Sequence, residues 1–479
     1  MTVFSHITRS LKARRLPITL EPMLFVYFFT VVMSNIVSNN MLFRKGCDPD
    51  ATVEPNLVNA TCPLVLDAQQ EVASIQAWKQ VIQELVALTF IMFAGPWSDN
   101  NGRRRLPLMF VPVVGQVLCD TCNLLFSVFW REVSPMATGI VQAVTVASTG
   151  SIHCFFIGMY AYVSDITDET NRTMRLGFAS SIVPLAATLG PLVSGYLNVL
   201  LGFKGVYALC IVLNFVALSL GYLLIYDTSE KIKKTGSAIK NTFDLQVVAK
   251  SFGTVFVKRE NHKRTVLLLM IVTSPLTITP FMGEMALMYL FLTKKFNFNE
   301  ISFSLFHSYT MGIMLFGTLL SLGLFSRILK MNDASIGFIA TIFDIATAVG
   351  FLVVNETWQL MYVPLLEIFR GAVLSITGSI ASKCVEAHEL ASMNSVRLIV
   401  ESLFKSFLLP LYNIVYKNTL NTFPSAFFII SIVLSVPLLF LFSITYFLTR
   451  DQPLDAKTEE CTSNKTTEST AEQIGAEKF

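Results

Sequence analysis

Charge is what this chain has least of. Only 14% of its 479 residues are Asp, Glu, Lys or Arg, and 53% are hydrophobic; soluble domains carry roughly 25% charged residues. A water-soluble globule is thereby excluded. The apolar residues come in blocks, such as 23–43, 106–130, 176–201 and 424–448. Each is long enough to cross a hydrocarbon core of ~30 Å at 1.5 Å per residue. Signatures of catalysis are missing too. There is no H-E-x-x-H, no G-x-S-x-G and no Gly-rich phosphate loop, which argues against an enzyme or an ATP-driven pump. Cys119 and Cys122 form a C-x-x-C, but inside an apolar block, where they read as small hydrophobes and not as a metal or redox site. No metal, no cofactor and no nucleic-acid partner is expected.

What is present is an all-α membrane protein with twelve transmembrane spans. They are expected at roughly 22–43, 77–98, 105–130, 136–164, 176–201, 204–226, 265–292, 300–326, 334–354, 358–382, 396–418 and 424–449. The domains follow: a six-helix bundle over 1–226, a linker over 227–264, a second six-helix bundle over 265–449, and a disordered tail over 450–479. The linker holds nine Lys/Arg against four acids. The first twenty residues are basic and run straight into a full-length span, the pattern of a signal anchor.

With both termini cytosolic, 26 Lys/Arg fall inside and eight outside. The positive-inside rule therefore puts the termini in the cytosol. The longest external loop, 44–76, holds Cys47, Cys62 and the sequon at Asn59, so that face has the means for a disulfide and a glycan. Sequons at Asn171, Asn355 and Asn464 are poorly placed.

Between spans two and three runs Gly95-Pro96-Trp97-Ser98-Asp99-Asn100-Asn101-Gly102-Arg103-Arg104. It resembles the G-x-x-x-D-x-x-G-R-R signature of the major facilitator superfamily. Gly95 permits close helix contact, Gly102 a tight turn, Asp99 charge-assisted bonds to helix ends, and Arg103 and Arg104 anchor the loop. Gly190-Pro191 in span five resembles that superfamily's glycine-proline motif. The resemblance implies two six-helix bundles that rock about a central site.

Within the superfamily the chain resembles the proton-coupled folate transporter family (solute carrier family 46). The residues that carry this are Glu21-Pro22, Tyr162-Val163-Ser164-Asp165, Asn171-Arg172-Thr173-Met174-Arg175 and Ser382-Lys383-Cys384-Val385. The resemblance implies a secondary transporter of an organic anion, with folate-like, nucleotide-like or peptidoglycan-fragment solutes in its range. It makes Asp165, Arg172 and Arg175 candidates for a cytosolic gate. Ser180, Thr279 and Gly378 stand where the family's folate transporters have a glutamate, a histidine and an arginine, which speaks against folate. The family's cysteine after span seven is absent from 293–299, so Cys47 is left with Cys62 if it pairs at all.

Ionisable groups inside a membrane each need a reason. Glu84, Asp120, His153, Glu284, His307, Asp344, Glu367, Arg370, Glu401 and Lys405 fall within the spans. Asp120 and Asp344, on outer supporting spans, read as structural, or as lying at another depth than the span bounds give them. Arg370 with Glu367 three residues away, and Lys405 with Glu401 four away, share helix faces; they are candidate substrate contacts or neutralised pairs. Glu284 and His307 lie at similar depth on adjacent spans and are candidates for proton coupling, with His153 next. Pro275 and Pro280 predict a kinked or broken span seven and a hinge. The expected protein is a monomeric transporter, in the plasma membrane in preference to the lysosomal one; a solute sensor or a facilitator without proton coupling is the alternative.

Overall fold

The computed structural model describes residues 19–450 apart from 56, 58–61, 63, 101–103, 168, 227–251, 254, 260, 322–324, 326, 327, 330 and 386–389. Most of the linker, the tail, Asn59, Gly102 and Arg103 thus lie outside the described residues. Among the described residues all regular structure is helical. Eleven stretches are long and apolar enough to cross a membrane. One of them, Phe178–Leu224, has 47 residues, about 70 Å of helix and more than two core thicknesses. It divides at Gly202, whose φ of 67° and ψ of 179° break the helix. Spans five and six are its two parts, and the total is twelve.

Spans one to three are Glu21–Cys47, Val65–Asn100 and Leu106–Val128. Span two starts twelve residues earlier than expected, so the loop of 44–76 shrinks. Val65, Ala68, Val72 and Ile75 recur at helical spacing and bury one face, while Asp67, Gln70 and Glu71 hide that face from any average. Cys47 and Cys62 are joined by a disulfide with Cα atoms 5.0 Å apart.

Span four is two helices, Pro135–Ala147 and Ser151–Ile166. The chain leaves the first at Ser148–Gly150 and enters the second through Gly150 at φ 81°, a left-handed conformation that glycine adopts without cost. Spans seven to nine are Lys263–Phe296, Glu300–Leu320 and Asp333–Val353. Span seven is not broken: its helix runs continuously past Pro275 and Pro280. The break falls in span ten, which is assembled from Thr357–Leu360, Val363–Leu366, a 3₁₀ turn at Glu367–Phe369, and Arg370–Lys383. Spans eleven and twelve are Leu390–Thr419 and Phe427–Arg450.

The two halves meet unequally along their length. At the end where the described chain starts and stops, each half keeps its own core. Leu24, Met109, Phe155 and Ala217 belong to one, and Met270, Ala340, Ala372 and Phe442 to the other. A small cluster of Ala87 and Ile91 with Ile399 joins the halves there. At the opposite end a single core takes Phe43 and Val72 from the first half and Phe291, Phe351, Tyr416 and Phe427 from the second. The molecule is sealed at that end.

Candidate functional site

Span two carries polar contacts to the second half from Gln69 to Glu84. Gln69 receives the Tyr416 hydroxyl at 3.0 Å and donates to the Leu290 carbonyl at 3.2 Å. Asn413 donates to Gln80 at 2.8 Å. Further along, Lys405 of span eleven holds Glu84 at 2.7 Å, and Ser402 donates to the same carboxylate at 2.5 Å. His153, two residues into the second helix of span four, lies 3.5 Å from the Lys405 ammonium and 3.9 Å from Glu84. Glu84, His153 and Lys405 therefore form one charged cluster across the seam. The expected Glu401–Lys405 pair is not made. Glu401 turns to Ser274 of span seven and to Arg397, 3.8 Å away, because Glu84 offers Lys405 a partner from the facing half.

The second cluster lies inside the C-terminal half. Arg370, at the first residue after the 3₁₀ turn, contacts Glu284 of span seven at 2.6 Å, Asp344 of span nine at 2.9 Å and Glu367 at 2.9 Å. The i,i+3 pair with Glu367 is present, but two further carboxylates join it. Asp344 also accepts from Ser435 of span twelve. One guanidinium thus faces three carboxylates. Glu284, Glu367 and Arg370 line a cavity that His307 of span eight borders with Phe281 and Met288. Glu284 and His307 share that cavity, but the carboxylate is engaged by Arg370, and the imidazole stacks on Phe303 with ring centres 5.6 Å apart.

The 3₁₀ turn presses against span eight. A Cβ on Gly317 would lie 1.6 Å from the Ile368 carbonyl oxygen, and one on Gly371 would lie 2.1 Å from Thr318 Oγ1. Spans four and ten occupy corresponding places in the two halves, and each is interrupted near its middle, with ionisable groups at or just after the interruption.

At the end carrying the termini, Arg105 at the start of span three bonds Asp165 at the end of span four, 2.8 Å apart. The other half repeats the arrangement with signs exchanged: Asp333 at the start of span nine meets Lys383 at the end of span ten, 3.2 Å apart. Arg175 pairs with Glu21 of span one at 2.8 Å. Gly95 and Asp99 lie on the last two turns of span two, Arg104 is exposed just beyond, and Arg172 is on the first turn of span five. Gly190 approaches the Phe29 carbonyl of span one, and Pro191 continues within the helix. Asp120 is held by Ser34, Gln116 and Asn214, a bracing role inside the first half.

Two residues to which the sequence assigns no role matter here: Arg105, just past the motif, makes the inter-span pair, and Lys79 is buried 14 residues into span two.

A model of the Major Facilitator Superfamily matches residues 58–410. The probable peptidoglycan muropeptide transporter of Drosophila melanogaster, named for solute carrier family 46, is 22% identical over 430 residues, covering 86% of this chain and 82% of that protein. The lysosomal proton-coupled steroid conjugate and bile acid symporter of Gallus gallus, of the same family name, is also 22% identical, with 86% and 90% covered. A solved peptide transporter, POT in complex with sulfate, superposes with a TM-score of 0.63 at 12% identity, covering 90% of this chain and 95% of that one. The last likeness is one of fold.

Proposed function

Because the chain belongs to the Major Facilitator Superfamily, and is thereby a secondary active transporter of small solutes and no enzyme, we propose that it couples protons to the movement of an organic anion by alternating access. The observation that carries this is the pair of interrupted spans, four and ten, in corresponding positions of the two halves. Interrupted helices facing each other at mid-membrane are where such transporters bind solute and coupling ion.

The charges divide the labour. Around Arg370, one positive and three negative charges leave two negative charges unmatched when all are ionised. Taking up a proton there relieves like-charge repulsion in a medium that screens little. Glu284 and Glu367 face the cavity shared with His307, so they are the proton carriers in this reading, with His307 relaying. At the seam, Lys405 binds Glu84 with His153 beside it. A solute entering between the halves weakens this contact, which ties binding to rocking. Asp99, Arg103 and Arg104 with the Arg105–Asp165 and Glu21–Arg175 pairs form the gate at the terminal end.

The anion class draws on the relatives as well. Muropeptides, bile acids and steroid conjugates differ in skeleton but share carboxylate or sulfate groups. In this reading the termini are cytosolic, the unit is a monomer, Asn59 is glycosylated, and the host is the plasma membrane, with the lysosomal membrane as the alternative that imaging separates. The test is uptake by proteoliposomes of a conjugated bile acid, a steroid sulfate and a muramyl dipeptide. External pH is lowered from ~7.5 to ~5.5, across the range in which an imidazole titrates. At least one probe should accumulate more at the lower pH and lose that gain with a protonophore. Uptake indifferent to pH would favour a facilitator.

A further inference from the structure

Resting on the anion reading above, we propose that Lys79 of span two receives the negatively charged group of the solute. Cations within the spans are not equivalent. Arg370 is surrounded by three carboxylates, and Lys405 is matched by Glu84. Among the described residues, no carboxylate lies within ion-pair distance of Lys79. Its ammonium is buried, with the residue 5% exposed, and donates to Gln142 Oε1 at 3.0 Å. An ammonium carries three donors, and burying one without a counter-charge is costly. An arriving carboxylate or sulfate supplies that counter-charge, whereas at Arg370 it would meet surplus negative charge.

Lys79 itself lies inside the first half, where its partner Gln142 also donates to Asn123 of span three at 2.8 Å; the next residue on the helix faces the seam. Lys79 precedes Gln80, which takes the cross-seam bond from Asn413, and lies one turn beyond Gln76, bonded to Asn39 of span one at 2.5 Å. Gln142 stands on the first helix of span four, six residues before the interruption at Ser148. Movement at that interruption changes the hold on Lys79, which lets span four exchange Gln142 for the solute.

The experiment measures concentration dependence of proteoliposome uptake, using whichever of the three anionic probes the wild-type protein moves best. Lys79→Gln should raise KM about tenfold or more, the scale of one charge-assisted contact, with the maximal rate changed less. Lys79→Arg should recover most of the affinity. Gln142→Leu removes the bond but keeps the ammonium, and should leave KM within about threefold of wild type, below the ~1.4 kcal/mol that marks a decade. KM unchanged in Lys79→Gln, or raised equally by Gln142→Leu, would show that Lys79 only braces span two against span four and would overturn the proposal. If Lys79→Gln does not fold, Lys79→Arg decides: exchanging an ammonium for a planar guanidinium should shift KM for the carboxylate and the sulfate probe by different factors, and wild-type KM for both would overturn the proposal. Wild-type protein that moves none of the three anions overturns the anion reading and this inference together, a result distinct from wild-type uptake that ignores Lys79.

Discussion

Lys405 and Glu84 show how much a single residue's partner depends on the fold. Lys405 is buried and Glu84 nearly so, with side chains 5% and 13% exposed. Removing one member of a buried pair strands the other charge, at a cost of about 3–5 kcal/mol. Lys405→Met should therefore lower the unfolding temperature in detergent, and adding Glu84→Gln should restore much of the loss. Equal or additive losses in the double variant would mean that the pair is not coupled. Helical spacing alone identified Glu367 as a partner of Arg370, because i,i+3 geometry is local. It could not identify Glu284, 86 residues away, or the Glu84–Lys405 pair, 321 residues apart. The same spacing rule put Glu401 on Lys405, and tertiary competition from Glu84 overruled it. Arg105 is a similar case. Arg105→Ala should slow transport about as much as Asp99→Asn does, since it removes the Asp165 contact; a fully active variant with normal surface level would dismiss that gate.

At the scale of elements, twelve spans and their order were readable from apolar run length, and their interruptions were not. Pro275 and Pro280 predict a kinked or broken span seven, and the helix runs unbroken past both. Span ten, whose one proline is Pro364 in its first helical turns, breaks at Glu367–Phe369. There Arg370 gathers partners from spans seven and nine, and Gly317 lets span eight close on the Ile368 carbonyl. In span four the break is a left-handed Gly150, one glycine among many in the sequence. Gly317→Ala places a carbon 1.6 Å from that carbonyl oxygen, so backbone must shift. It should cost stability in the range of about 1–3 kcal/mol typical of overpacking and disturb transport. Gly312→Ala, whose added carbon would meet only Thr188 at 3.7 Å, should behave as wild type. Thermal unfolding of the two variants side by side checks this; equal stability would mean that span ten is not held there.

The two halves share one large core at one end, and only the small cluster of Ala87, Ile91 and Ile399 joins them toward the end where the described chain starts and stops. The far seal includes Arg44 of span one bonded twice to Glu300 of span eight, at 2.6 and 3.0 Å, and Tyr289 bonded to Asn40 at 2.9 Å. Both join the halves, so both must part when the far side opens. Glu300→Gln should raise the labelling of a cysteine placed at Leu287 by a membrane-impermeant thiol reagent applied from that side. Unchanged labelling would locate the latch elsewhere. The seal was not legible in sequence because Phe43, Phe291, Tyr416 and Phe427 look like any other apolar span residues until the halves bring them together. Protons driving the solute through the Arg370 cluster are the centre of this account, and counterflow set against gradient-driven accumulation tests them most directly. In proteoliposomes, Glu367→Gln should exchange labelled for unlabelled solute at near the wild-type rate while failing to accumulate it under an inward proton gradient. Accumulation equal to wild type in Glu367→Gln would contradict the account.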